Sequence, residues 1–362
     1  MTVKTCTCKL RTNEKSAAAL QETMQRFNHV CNILSAHAFE HQVFRQFDLH
    51  KALYHKIRSE HDLPSQLVIR AIAVVTDSYK NDRSVPHTFG AKSAVVFDAR
   101  CFKLKNLSSA ILTTTQGRVT CVMAHGGKQR AMLEAGKIGE ADLIFRDGDY
   151  YLAITVTLPD PPARDTSGGV LGVDLGIAQI ATDSEGHQYS GEQVKNVRQK
   201  VRRIRKRLQS KGTKKSKVHL LKIRKKQSRF TKDVNHCIAK NIVQTAIGSA
   251  KAIALELLTG IRDRGHGYGR EMRWLLGNWS FFDLAAKIVY KAKEAGIPVF
   301  FVDPAYTSQT CSCCGHCEKA NRKSLSVFKC QKCGFESHAD LNAALNIETR
   351  AEMSTCLLES AA

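Results

Sequence analysis

Apolar and polar positions along this chain follow two rhythms that change over at recognisable places. Residues 3–10 (VKTCTCKL) alternate with period two, the pattern of a half-buried strand. From 13 to 83 the spacing lengthens: Leu20, Met24, Phe27, Val30, Ile33 and Leu34 recur at three and four residues, which predicts helices. The stretch DLPSQLVIRAIAVVTDSYK (62–80) opens on a Pro and a Ser, as helix starts do. Short β patterns return between about 85 and 160 in SAVVFDA, AILTTT, RVTCVMA, ADLIFRD and YYLAITVTL, parted by Gly, Asp and Asn turns. Together these predict an antiparallel β-barrel built from 1–12 and 84–160, interrupted by a helical region at 13–83. PPARDTSGG then supplies a linker at 161–169.

Beyond 170 strands and helices mix. VLGVDLG and IAQIATD predict a hairpin, and KAIALELL (251–258) and IPVFFVD (297–303) predict buried strands. FFDLAAKIVYKAKEAG (281–296) has helical spacing and stops at a Gly, HADLNAALNI (338–347) is helical, and 351–362 reads as a flexible tail. No period of about 20–50 residues repeats, so this is no solenoid. The fold class expected is α+β and multidomain.

Three acids stand out against this pattern. Asp174 and Glu256 each interrupt an apolar strand with no basic neighbour in sequence, and Asp340 opens a helix, where the dipole favours its ionised form. An unpaired buried charge costs several kcal/mol. Separate structural roles would account for each acid singly. A shared hard cation accounts for all three, and oxygen ligands suit Mg²⁺ or Mn²⁺. Two such ions about 3.5–4 Å apart would clamp the attacking and leaving oxygens of a phosphodiester.

Charge and cysteine content extend the picture. The 362 residues hold 55 Lys and Arg against 33 Asp and Glu, a net charge of +22, which points to a polyanionic partner. Between Lys195 and Lys232, 18 of 38 residues are basic and none is acidic. Val197, Val201, Ile204 and Leu208 predict an amphipathic helix there, followed by a second near 216–230, in a basic insert spanning 193–235. Arg198, Arg202, Arg205, Lys206, Lys225 and Arg229 are the candidate phosphate contacts; a solvated surface helix is the plainer alternative. Six of the 13 cysteines fall within 311–333. Cys311 and Cys314, then Cys330 and Cys333, form two Cys-x₂-Cys-Gly knuckles suited to one structural Zn²⁺. Cys314 and Cys317 share the same spacing, so Cys313 and Cys317 blur the count. No apolar run approaches the roughly 18–20 residues of a membrane span, and the N-terminus lacks a signal-peptide core.

GVDLGI, ALELL, YTSQTCSCCG with FKCQKCGF, and HADLNAALNI, taken in this order, resemble the split motifs of RuvC-like, RNase H-fold nucleases. Among these the chain is similar to the TnpB family, transposon-encoded RNA-guided nucleases related to the compact type V CRISPR effectors. The resemblance covers roughly 165–350; residues 1–160 match in layout alone. It implies a wedge-like barrel with a helical recognition region, and a RuvC-like nuclease domain at 170–304 and 338–350 with a zinc finger inserted at 305–337. It further implies that Asp174, Glu256 and Asp340 are the catalytic ligands of a two-ion Mg²⁺ (or Mn²⁺) site. The partners implied are a transposon-end-derived guide RNA and target DNA bearing a short adjacent motif. A monomer in the prokaryotic cytoplasm, nucleoid-associated when on DNA and with no membrane partner, is the expected setting. A compact CRISPR effector, a non-cleaving RNA-guided repressor and a strand transferase stay open as alternatives. RDRGHGYGR (262–270) is expected as a lid beside Glu256, and Trp274 and Trp279 as core or loop anchors, with base stacking the alternative.

Overall fold

The computed structural model describes residues 1–176, 179–258 and 281–359. The loop at 262–270, Trp274 and Trp279 lie outside the described residues. The chain divides into two compact units, Met1–Pro159 and Asp160–Ala362.

In the first unit, β1 (Thr2–Arg11) precedes three helices, α1 (Glu14–Glu40), α2 (Gln46–Glu60) and α3 (Ser65–Asn81). Strands β2 (Val95–Phe97), β3 (Phe102–Asn106), β4 (Ser109–Thr114) and β5 (Gly117–Ala124) follow, then α4 (Gly127–Ala135), β6 (Lys137–Arg146) and β7 (Asp149–Leu158). They form a nearly closed, seven-stranded antiparallel sheet in the order β2-β6-β7-β1-β5-β4-β3. The first strand therefore sits at its centre, paired with β7 and β5, and the helices form an excursion between it and β2 at the end of the strand order. Period two in β1 is explained by burial of Cys6, Cys8 and Leu10 on one face. Helix α1 starts on a capping box in which the Asn13 side chain accepts from Ser16 N at 2.8 Å and the Ser16 hydroxyl accepts from Asn13 N at 2.9 Å.

The second unit opens with β8 (Val170–Asp174), β9 (Gln179–Asp183) and β10 (Gln188–Ser190). Two long helices, α5 (Glu192–Lys211) and α6 (Lys214–Gly248), lead to β11 (Ala252–Glu256). Helix α7 (Phe281–Ala295), β12 (Val299–Val302), a short 3-10 turn (Lys319–Asn321), β13 (Val327–Lys329), β14 (Glu336–His338) and α8 (Ala339–Glu359) complete it. The five-stranded sheet runs β10-β9-β8-β11-β12, with β8, β11 and β12 parallel and β9 and β10 antiparallel to their neighbours.

Side-chain parity assigns the two faces of this sheet. Leu171, Val173, Ile253 and Leu255 pack with Ile238, Ile242 and Val243 of α6 and Leu284, Ile288 and Ala292 of α7. Val170, Ala252, Ala254 and Val302 face the other way, against Ile347 and Ala351 of α8. Ala252, Ala254 and Gly172 are small, so α8 lies close on that face.

Two expectations need correction. The second basic helix does not end near 230 but continues unbroken to Gly248, so the insert boundary at 235 falls inside α6. No Gly or Pro interrupts Lys214–Ile247, and Ile238, Ala239, Ile242, Val243 and Ala246 give its later turns a buried face. Likewise α8 runs through Glu359, into the stretch expected as a tail, because Ala351 continues the apolar stripe begun by Ala343, Ala344 and Ile347.

Candidate functional site

Parity decides where the strand acids point. Asp174 shares its face with Val170 and Gly172, and Glu256 shares its face with Ala252 and Ala254, the face covered by α8. The parallel register pairs Val173 with Leu255, so one residue further on Asp174 and Glu256 end their strands side by side. Asp340, in the first turn of α8, heads the stripe that continues through Ala343, Ala344 and Ile347, and is 6% exposed. A Cβ at Gly176, just after Asp174, would stand 3.9 Å from Asp340 Oδ2. Three acids far apart in sequence thus meet at the C-terminal edge of a parallel strand pair, where open α/β sheets place their ligands.

Their charges act on one another. Burial pushes the Asp174 carboxyl well above the usual carboxylate range, and the charges of Glu256 and Asp340 push it further. Arg322 and the backbone N–H of Leu175 oppose this in part. Burial also raises Asp340, against the pull of Arg322 and His338. A site whose acids resist joint ionisation in their own protein is one that a divalent cation relieves. The three carboxylates are not drawn into one tight ligand shell: among the described residues, the only group of three or more metal-type ligands with atoms all within 4.8 Å of one another is the cysteine cluster.

Further polar residues around the acids were not singled out from sequence. Thr307, 3% exposed, hydrogen-bonds through its hydroxyl to Glu256 Oε1. Arg322 reaches from the cysteine-rich segment to Asp340 Oδ1 at 3.4 Å. Asn342 and Asn346 are buried and bind the backbone at Thr307, Thr310 and Ser312. The available signal was the pair of asparagines in ADLNAALN, polar residues beside an alanine-rich stripe on a helix.

Cys311, Cys314, Cys330 and Cys333 converge, with Cys311 Sγ 3.7 Å from Cys333 Sγ and Cys314 Sγ 3.6 Å from Cys330 Sγ. The knuckles are alike. Gly315 N donates to Cys311 O at 2.9 Å and Gly334 N to Cys330 O at 3.1 Å, and the two glycines hold φ of 72° and 74°, the left-handed region that glycine favours. Cys313 and Cys317 are exposed and stand outside the cluster. Backbone N–H groups, chiefly that of Cys333, hold the Cys330 thiol down at about 6, while burial holds Cys311 up at about 12. The donor set fits a closed, tetrahedral Zn²⁺ site.

On the basic helices, Arg202, Arg205, Lys206, Lys225 and Arg229 are exposed. Arg198 differs: it is 5% exposed, and burial lowers its pKa. With Arg205, Arg224 and Lys232 it lines a cleft of about 360 Å³ between α5, α6 and the start of α7, where Asp283 also lies. Arg198, expected among the exposed phosphate contacts, is instead buried in this cleft. No described helix is long and apolar enough to cross a membrane.

Comparison with known proteins bears on this arrangement. Residues 153–251 match a family described as "Probable transposase", and residues 281–347 match one described as "Cas12f1-like, TNB domain". A CRISPR-associated endodeoxyribonuclease Cas12f1 of Sulfoacidibacillus thermotolerans is 38% identical over 220 residues, 56% of this chain and 50% of the relative. A protein of Escherichia coli (strain K12) named "Putative RNA-guided DNA endonuclease InsQ" is 32% identical over 219 residues, 55% of this chain and 53% of the relative. A TnpB-like protein of Methanocaldococcus jannaschii is 32% identical over 152 residues, 42% of this chain and 54% of the relative. The aligned part of the chain spans about half the length of these curated relatives. The fold is shared with a solved Cas12f1–sgRNA–target DNA complex, with a TM-score of 0.67 and 15% identity over 91% of this chain and 82% of the other.

Proposed function

We propose that this chain is a transposon-type RNA-guided DNA endonuclease that cleaves target DNA in a RuvC-like, divalent-metal-dependent site. The observation that carries this reading is the convergence of Asp174, Glu256 and Asp340 at one sheet edge, close enough to raise the Asp174 pKa together with burial. The names of the relatives support the activity, and the Cas12f1 complex supports guide RNA and target DNA as partners.

Each part of the chain has work to do in this reaction. The three carboxylates supply hard oxygen ligands suited to Mg²⁺ or Mn²⁺. Bound there, the cation would supply charge neutralisation at the phosphodiester and Lewis acidity toward water. Strands β8 and β11 fix two of the ligands on a buried scaffold, and the first turn of α8 aims the third. The exposed cations Arg202, Arg205, Lys206, Lys225 and Arg229 hold phosphate backbone without reading sequence. Four cysteine thiolates would close the shell of a Zn²⁺ and leave no position for chemistry, so that ion is structural. Base pairing with the guide would select the target, and the first unit would read the short adjacent motif. A monomer in the prokaryotic cytoplasm is the form proposed.

The test is Asp174→Ala in the full chain purified with its RNA. Cleavage of matched DNA in Mg²⁺ should fall by at least about a thousandfold, while target binding in a filter or mobility assay persists. Undiminished cleavage sinks the site, and a wild-type protein that binds matched DNA yet leaves it whole favours a repressor. A compact CRISPR effector is the second reading, favoured by the match to Cas12f1. Sequencing the co-purifying RNA separates a transposon-end transcript from a CRISPR repeat.

A further inference from the structure

The Thr307 hydroxyl stands between two acceptors, Glu256 Oε1 and the carbonyl of Pro304 at 3.2 Å. It has a single proton to give, and a carboxylate is the stronger acceptor, so that proton goes to Glu256. The residue giving it is held on two sides. Asn346 Nδ2 donates to Thr307 O at 2.9 Å and to Thr310 O at 2.7 Å. Asn342 Nδ2 donates to Thr310 O at 2.8 Å, and Asn342 Oδ1 accepts from Ser312 N at 3.0 Å. Both asparagines belong to α8, the helix that begins with Asp340. Within 307–312 lies Cys311, the first cysteine of the cluster. The segment is thus a strap, clamped by α8 along its length and joined to the cysteine knuckle, with the Thr307 side chain bonded to Glu256.

We propose that Thr307 is a positioning residue for Glu256. Its hydroxyl fixes the orientation in which the Glu256 carboxylate serves the cation shared with Asp174 and Asp340. One rotamer of Glu256 is then set before the cation arrives, and the cation need not order that side chain. The strap places Glu256 in register with Asp340, although the two acids sit on different elements. This inference rests on the reading of the three acids as a divalent-cation site.

The experiment titrates the full-length, zinc-loaded chain with Mn²⁺ alone and follows free Mn²⁺ by electron paramagnetic resonance. T307V and T307A remove the hydroxyl with and without the branched shape, and T307S restores it. Apparent Mn²⁺ affinity should fall about tenfold in T307V and T307A, the scale of a hydrogen bond to a charged group. T307S should stay within about twofold of wild type, and zinc content should be equal in all four proteins. Wild-type affinity in T307V and T307A overturns the proposal, provided D174A abolishes the Mn²⁺ site. A loss in T307S as large as in T307V overturns it too. Loss of zinc from T307V and T307A would make Thr307 a strut of the cysteine knuckle and overturn the positioning role. If D174A leaves Mn²⁺ binding unchanged, the cation-site reading itself fails, and this proposal with it.

Discussion

Gly172 of β8 and Ala344 of α8 meet backbone to backbone: a Cβ at 172 would stand 2.1 Å from the Ala344 carbonyl oxygen and 2.6 Å from Glu348 N. Neither obstacle is a flexible side chain, so the helix would have to lift. Gly172→Ala should cost on the order of 3 kcal/mol, a fall of roughly 6–12 °C in melting temperature for a domain of this size. Cleavage should fall with it, because α8 carries Asp340. Gly248→Ala is the control, since nothing stands within 4 Å of a Cβ there; its melt should be unchanged or slightly raised. Equal melts for G172A and wild type would show that α8 does not lie this close.

Zinc content distinguishes the cysteines. Cys311→Ser and Cys330→Ser should each abolish stoichiometric zinc and unfold the segment around the knuckles, since metal binding and folding are coupled in small sites. Cys313→Ser and Cys317→Ser should keep one zinc per chain, because both thiols lie outside the cluster. Metal analysis of the four purified variants decides this, and zinc loss in C317S would reassign the second ligand pair.

The basic helices offer a contrast between two arginines. Arg205 is exposed, so Arg205→Ala should weaken nucleic-acid binding and flatten the dependence of log K on log salt by about one unit. Arg198 is buried between the helices, and Arg198→Ala should act first on stability, lowering the melting temperature of the free protein. Binding titrations across salt concentration, paired with melts, separate the two effects. An identical profile for both variants would place Arg198 at the surface.

Acid stability turns in part on Asp283 at the head of α7. Burial raises its pKa, but Lys287 at 2.5 Å and Asn235 at 2.7 Å overcome this and hold the carboxyl below its usual value. A depressed carboxyl binds its proton less readily folded than unfolded, so its contribution is full above the unfolded pKa near ~4. That contribution is lost as pH falls through the folded value. Asp283→Asn should therefore melt lower than wild type at pH 7, by on the order of 1 kcal/mol given its partial exposure, and the gap should close below about pH 4. A gap that persists unchanged into acid would assign the effect to packing.

Much of this molecule was legible from local pattern. Alternation in β1 and the three-and-four spacing in α1 are written by burial on one face, and burial is what hydropathy reports. The acids Asp174 and Glu256 were visible because each breaks an apolar strand. The burial of Arg198 was hidden for a related reason: within a run of cations, sequence does not show which one turns inward. Thr307 and Arg322 could not be found that way. Each is an ordinary polar residue in a loop, and its importance comes from the distant acid it touches. The length of α6 was missed because a change from basic to apolar composition looks like a boundary, whereas the helix takes its cue from the absence of Gly and Pro.

That continuity has a mechanical consequence. A helix of 35 residues is a rod about 52 Å long, and this one is basic and exposed over its first half and buried against the β11 face over its second. It is also the return path that a parallel β8–β11 pairing obliges the chain to make. A load placed on the exposed half is carried along the axis to the layer beneath the edge where Asp174 and Glu256 end their strands. Whatever grips this shaft also holds the bench on which the acids are mounted.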